Sequence, residues 1–208
     1  MIEVLNSLKY TFHLVFHPFD GFWDLKHEKR GNIKAALAII AMLCITFIMR
    51  RQLTGFIFNL NDPQELNIFS EVISILLPFA LWCVSNWSFT SLMEGEGGFK
   101  DIMITTAFAL TPMIIINLPL ILFSNLITMP EGAFYRFFDS LSILWSGALL
   151  ILGTMVVHQY TLLKTLFTSV LIVVGMAVII FIGLLFFSML HQMYAFVYTV
   201  YLEISLRM

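Results

Sequence analysis

Charge is what this chain has least of. Asp, Glu, Lys and Arg make up 12% of its 208 residues, against 60% hydrophobic residues, which is about half the charged share of an ordinary globular domain. A water-soluble chain of this length cannot hide that much hydrocarbon. The formal net charge of −2 and the lack of any basic run exclude a nucleic-acid binder, which needs a positive surface to neutralise phosphates. Cysteine is nearly missing too. The two present, Cys44 and Cys83, lie in apolar stretches, which leaves neither a disulfide framework nor a paired-cysteine metal spacing. A cleavable signal peptide is not expected, because Glu3, Lys9, Asp20, Asp24, Lys26, Glu28, Lys29 and Arg30 interrupt the N-terminal segment.

Long uncharged runs, rich in Phe and Met, are there instead. Several exceed the ~18 residues that mark a bilayer span. The predicted fold is all-α: a polytopic bundle of five transmembrane helices over about 33–49, 71–92, 102–127, 140–160 and 166–190. Residues 1–32 form a separate cytoplasmic segment, and 33–208 a single membrane domain. Span one ends at Arg50-Arg51, and Asn61-Asp62-Pro63 is a turn. The uncharged run after 166 continues to Leu202, where Tyr194, Phe196, Tyr198 and Tyr201 suggest an exit through an aromatic belt.

In the N-terminal segment, Leu5, Leu8, Phe12, Val15 or Phe16, and Phe19 recur at helical spacing. Pro18 pushes His17 out of the helical region, so a helix over 2–17 should stop there. With Phe19, Phe22, Trp23 and the charged Lys26–Arg30 stretch behind it, this reads as an amphipathic helix on the membrane interface. The alternative is a helix packed on the end of the bundle. An N-inside orientation places Lys9, Lys26, Lys29, Arg30, Lys34, Lys100 and Lys164 in the cytoplasm, and Arg50, Arg51, Arg136 and Arg207 outside. The bias favours a cytoplasmic N-terminus and an external C-terminus, with Arg50-Arg51 as the discordant pair.

Chemistry has few candidates. Spans two, three and five are read as free of internal charge, Asp139 sits at a span edge, and His158 and His191 lie at span ends. Proton relays and embedded catalysts need ionisable groups at mid-depth, so an enzyme is not expected, nor any cofactor. His13 and His17, four apart, could share a metal on one helix face but have no evident third ligand. The Gly95-Glu96-Gly97-Gly98 segment lacks the Lys-Ser/Thr ending of a phosphate loop. With Glu94, Lys100 and Asp101 it reads as a flexible acidic cytoplasmic hairpin. Pro112 and Pro119, seven apart, share a face of span three. Each frees a carbonyl that Thr111 or Asn117 is close enough to help satisfy. They mark either tight packing or a gating hinge.

Four segments carry a family resemblance: His17-Pro18-Phe19-Asp20-Gly21-Phe22-Trp23, Gly97-Gly98-Phe99-Lys100-Asp101, Ala107-Phe108-Ala109-Leu110-Thr111-Pro112, and Trp145-Ser146-Gly147 with His158 and Lys164. Together they resemble the Yip family of five-span membrane proteins, named for interacting with Ypt/Rab GTPases. The resemblance implies a cytoplasmic N-terminus and five spans but brings no defined activity and no catalytic residue. Eukaryotic members are linked to vesicle traffic and membrane shaping. This chain has neither their long cytosolic N-terminal domain nor their Asp-Leu-Tyr-Gly-Pro segment, and its compactness resembles bacterial members, some of which accompany sugar ABC-transporter components. The expected function is therefore a non-enzymatic scaffold or accessory subunit in the cell membrane. Its partners are the lipid bilayer and other membrane proteins, ABC-transporter components among them, or further copies of itself. The alternative is a permease or channel for a small neutral or lipid-like solute, with Asn86, Asn117 and His158 as polar contacts along kinked span three.

Overall fold

The computed structural model describes residues 2–28, 30–59 and 67–207, with the backbone alone for residues 2–6, 8 and 207. Lys29, the Asn61-Asp62-Pro63 turn and the side chains of Leu5 and Leu8 lie outside the described residues. No strand occurs among the described residues. Five helical stretches are long and apolar enough to cross a membrane: Ile33–Leu53, Ile68–Leu92, Phe99–Ser124, Met129–His158 and Leu162–Leu206.

Helix α1 (Ile2–Phe16) stops before His17, as the proline rule requires. The chain does not then become a linker. Helix α2 (Pro18–His27) begins at once, with Pro18 in a first turn whose N–H groups need no intrahelical acceptor. The two helices run antiparallel. Leu14 faces Gly21, where a Cβ would lie 2.8 Å from the Leu14 Cα. Farther from the turn, the Tyr10 hydroxyl donates to Asp24 Oδ2 at 2.6 Å, and Ser7 Oγ to the Arg30 carbonyl at 2.8 Å. Burial, followed by that bond to Asp24, raises the Tyr10 phenol above its ordinary pKa, which keeps it a donor.

The amphipathic pattern of this segment resolves into two faces. Leu14, Val15, Phe22 and Leu25 join the hydrophobic core, so the hairpin packs on the bundle through α7, α3 and α5. Phe12, Phe16, Phe19 and Trp23 are exposed, Phe12 at the edge of a cavity shared with α3 and α6.

Helix α3 (Ile33–Leu53) is capped by the Asn32 side chain, which accepts from Lys34 N at 3.0 Å. It continues a turn past the expected end and takes Arg50 and Arg51 into the helix. Helix α4 (Ile68–Leu92) is capped by Asn67 and contains Pro78 and Glu71. The third crossing is two helices, α5 (Phe99–Ala109) and α6 (Thr111–Ser124), broken at Leu110. Pro112 sits in the first turn of α6, and its ring forbids the Phe108 carbonyl its usual partner. The Thr111 hydroxyl donates to that carbonyl at 2.6 Å. Pro112 is buried but Pro119 is exposed, because the shared face opens, farther along α6, onto a cavity lined by Thr11 and Phe12. This crossing is the most enclosed of the five. Ala107, Phe108 and Ala109 on it are fully buried, and Ala35 and Ala36 face it from α3 within the same core cluster; small residues let such backbones approach closely.

Helix α7 (Gly132–His158) starts eight residues before the expected span, following a 3-10 turn at Met129–Glu131. Arg136 and Asp139 are therefore inside a helix rather than before it. Helix α8 (Leu162–Arg207) is one unbroken element of 46 residues, about 69 Å long, where the sequence predicts a span of ordinary length and an interfacial exit. It packs on α4 and on the edge of α7 through its first turns, where Thr165, Thr168 and Ile172 are fully buried. Ser85 Oγ donates to the Ile172 carbonyl at 2.7 Å, and a Cβ on Gly175 would meet Phe89 Cε2 at 2.3 Å. From Ala177 to Leu206 the helix is exposed all round apart from half-buried Gly183.

Candidate functional site

Among the described residues, the ion pairs lie at the two ends of the bundle. The near end, beside the α1–α2 hairpin, holds the start of α3, α5 and α8 and the finish of α4 and α7. The far end holds the finish of α3 and α6 and the start of α4 and α7.

At the far end the two arginines of α3 find acids on other helices. Arg50 makes a bidentate pair with Asp139 of α7, Nη1 to Oδ1 at 2.7 Å and Nη2 to Oδ2 at 3.0 Å. Its Nη1 also donates to Asn117 Oδ1 at 3.2 Å. Asn117 is 1% exposed and passes the network on, donating to the Met113 carbonyl at 2.7 Å and to Ser142 Oγ at 3.3 Å. Ser142 in turn donates to the Asp139 carbonyl at 2.7 Å. Asn117 and Asp139 each lie seven residues inside their helix ends, about 10 Å along the axis. This network joins α3, α6 and α7 within the apolar zone, where a lone charge is expensive and a paired one is tolerated. Arg51 pairs with Glu71 of α4. Around these pairs, Phe47, Thr54, Phe58, Asn59 and Tyr135 complete the wall of a cavity of about 330 Å³. The Phe58 and Tyr135 rings stack at 5.0 Å.

Sequence reasoning missed this cluster. The reading that spans two, three and five are free of charge fails within its own bounds for Glu71, the first residue of span two, which lies in the first turn of α4; it holds for span three, although α5 starts early enough to take in Lys100 and Asp101 ahead of the expected bound. The one local signal was Arg50-Arg51 itself, a basic pair on the side where the charge bias puts few, opposite two acids at matching helix ends.

At the near end, the segment joining α4 to α5 is held rather than flexible. Gly97 N–H donates to His158 Nδ1 at 3.3 Å. Lys26 of α2 reaches both Glu96, at 3.1 Å, and the Val157 carbonyl at the finish of α7, at 2.9 Å. The Tyr160 hydroxyl donates to the Met93 carbonyl at 3.1 Å, and Lys164 Nζ to the same oxygen at 2.9 Å. Burial raises the Tyr160 phenol above its ordinary pKa, with Glu94 adding to the effect. Asp101 closes the α5 N-terminus by accepting from Gly98 N at 3.1 Å.

The glycines are there for proximity. A Cβ on Gly97 would lie 2.4 Å from Val157 Cγ1 and 2.8 Å from His158 Cε1, and one on Gly95 would lie 2.5 Å from His158 Nδ1. Gly97→Ala is therefore expected to push the segment off α7 and lower the melting temperature by several degrees, about 1–3 kcal/mol of overpacking. Gly98→Ala, whose nearest neighbour would be Asp101 Oδ2 at 3.4 Å, serves as the tolerated control. Equal losses in the two variants would contradict this account.

The three side chains assigned to a solute path are divided between these ends. Asn117 belongs to the Arg50–Asp139 network, whereas Asn86 and His158 line a separate small cavity at the near end. Ser88, Thr90 and Ser91 of the same α4 face bond carbonyls of their own helix. His13 and His17 stack on each other at 4.9 Å, and no group of three or more His, Cys, Asp or Glu among the described residues could hold a metal ion.

A family model described as the Yip1 domain matches residues 12–185. That stretch runs from α1, through both polar ends, into the free part of α8. No curated protein and no solved structure matches the chain.

Proposed function

The chain belongs to the Yip1 domain family, and from that premise we propose that it is a non-enzymatic membrane protein that holds another polytopic membrane protein, as scaffold or accessory subunit. The observation that carries the reading is α8. A helix needs about 20 apolar residues to cross hydrocarbon; α8 runs for 46 residues in all, and those beyond Met176 touch almost nothing in the bundle. Lipid covers one bilayer's worth of that surface. The excess, including Tyr194, Phe196, Tyr198 and Tyr201, needs a protein cover or a bend back onto the membrane. The partner class is a membrane protein offering its own apolar helix, and ABC-transporter components are the first candidates to assay.

The orientation that accompanies this reading has the N-terminus in the cytoplasm of a bacterial-type cell membrane and the C-terminus outside. Its support is the excess of Lys and Arg at the near end.

The test contrasts two glycines of α8. Gly175→Val should lower the melting temperature of the purified monomer, because it displaces Phe89 and Ser85. Gly183→Leu should leave that temperature unchanged, since a Cβ there has no atom within 4 Å, yet should weaken co-purification of a stoichiometric partner in mild detergent. A photocrosslinker at Phe187 should capture that same partner. A lone monomer under several mild conditions, with no crosslink from α8, would end the proposal.

A second reading, a permease for a lipid-like solute, draws on two largely apolar cavities flanking the third crossing. One, of about 410 Å³, lies between α1, α3 and α6, and the other, of about 270 Å³, is bordered by Pro78, Trp82 and Leu110. Vesicles reconstituted with the protein that move no labelled lipid between leaflets would remove it.

A further inference from the structure

His158 and Asn86 are each 2% exposed, and both face one small cavity near the cytoplasmic end proposed above, together with Thr105, Thr106 and Thr154. Each carries a buried polar atom with no protein partner: Nε2 of His158 and Oδ1 of Asn86. Their hydrogen-bonding roles are fixed by the surroundings. The Gly97 N–H points at His158 Nδ1, so Nδ1 is the acceptor, and a neutral ring then carries its hydrogen on Nε2. Nε2 is thus a donor, and Asn86 Oδ1 is an acceptor. Leaving either one bare in a dry interior is costly.

The cavity has a volume of about 10 Å³, close to the smallest that admits one water molecule. A water there has partners on several sides. Seated there, it would accept from His158 Nε2–H and donate to Asn86 Oδ1. Thr154 spends its own hydrogen on the Leu150 carbonyl at 2.8 Å, which leaves its oxygen free to accept the second water hydrogen. Two to four polar partners are what a buried water requires.

We propose that this cavity is a binding site for a single ordered water that bridges His158 of α7 to Asn86 of α4. The bridge completes a chain running from the Gly97 backbone through the imidazole ring to the last turns of α4. It ties the α4–α5 segment to two helices that share few direct contacts, and it explains why two costly polar side chains occupy a buried position.

The decisive measurement is a structure of the full-length protein in lipid at about 2 Å or better. The expected result is a single solvent peak within about 3.2 Å of both His158 Nε2 and Asn86 Oδ1. An empty cavity, or a ring and amide that have closed directly onto each other, would overturn the proposal. A double-variant cycle supplies a second reading. Asn86→Ala with His158→Ala should destabilise the protein no more than the worse of the two single changes. Losses that simply add would show that no bridge couples the two residues.

Discussion

Replacing Asp139 by alanine is expected to cost the folded protein about 2–4 kcal/mol, one of the two largest losses available from single changes in this chain. The Arg50 and Asp139 side chains are 28% and 23% exposed, so the loss falls short of that for a fully enclosed pair. Arg50 would still be held beside Asn117 with no counter-charge, within a helix meant for hydrocarbon. The asymmetry matters more than the pair's own strength. Removing one partner strands the other, whereas Arg50→Met with Asp139→Leu removes both, and the double variant should recover most of the loss. Melting of the detergent-solubilised protein measures all three. A double variant as unstable as Asp139→Ala would mean that the network holds the far end by more than cancellation of charge.

Phe22→Ala is expected to match that effect through a different mechanism. Phe22 is fully buried, and a Cβ on Gly153 would meet its ring edge at 3.1 Å and Thr105 Cγ2 at 2.5 Å, so the ring is seated on α7 beside Thr105. Truncating a buried phenylalanine typically costs about 3–5 kcal/mol. The hairpin is an appended unit held also by Lys26, so part of this cost should appear as local release rather than global unfolding. Limited trypsin digestion should then cut at Lys26 and Arg30 far faster than in the parent chain. Unchanged cleavage together with an unchanged melting temperature would show that the hairpin is not seated through Phe22.

What could be read from the residues was whatever has a local signature. Five crossings follow from runs of hydrocarbon, the α1 stop from Pro18, and the break in the third crossing from Pro112 near Thr111. The Arg50–Asp139 pair could not be read, because it joins residues 89 positions apart and each looks alone like an edge charge. Near-contact also leaves no local trace. Gly95 and Gly97 resemble a loose loop in sequence, and only the facing His158 and Val157 show that they are the narrow point of a packed joint. Of the polar contacts expected along the third crossing, Asn86 and His158 share one cavity, while Asn117 stands apart because it had an unseen arginine to serve. The length of α8 was concealed because sequence rules end a span once enough residues have been counted, while nothing in Ser188–Leu206 breaks a helix.

That length has a consequence for where the protein settles. Bilayers differ by several ångströms in thickness, and a rod with apolar surface to spare can meet any of them by leaning or sliding. The α3–α7 bundle, pinned by charged pairs at one end and a glycine joint at the other, has much less latitude. A membrane that thickens would therefore swallow more of α8 while the bundle stays put, so the amount of tail left over varies with the lipid around it.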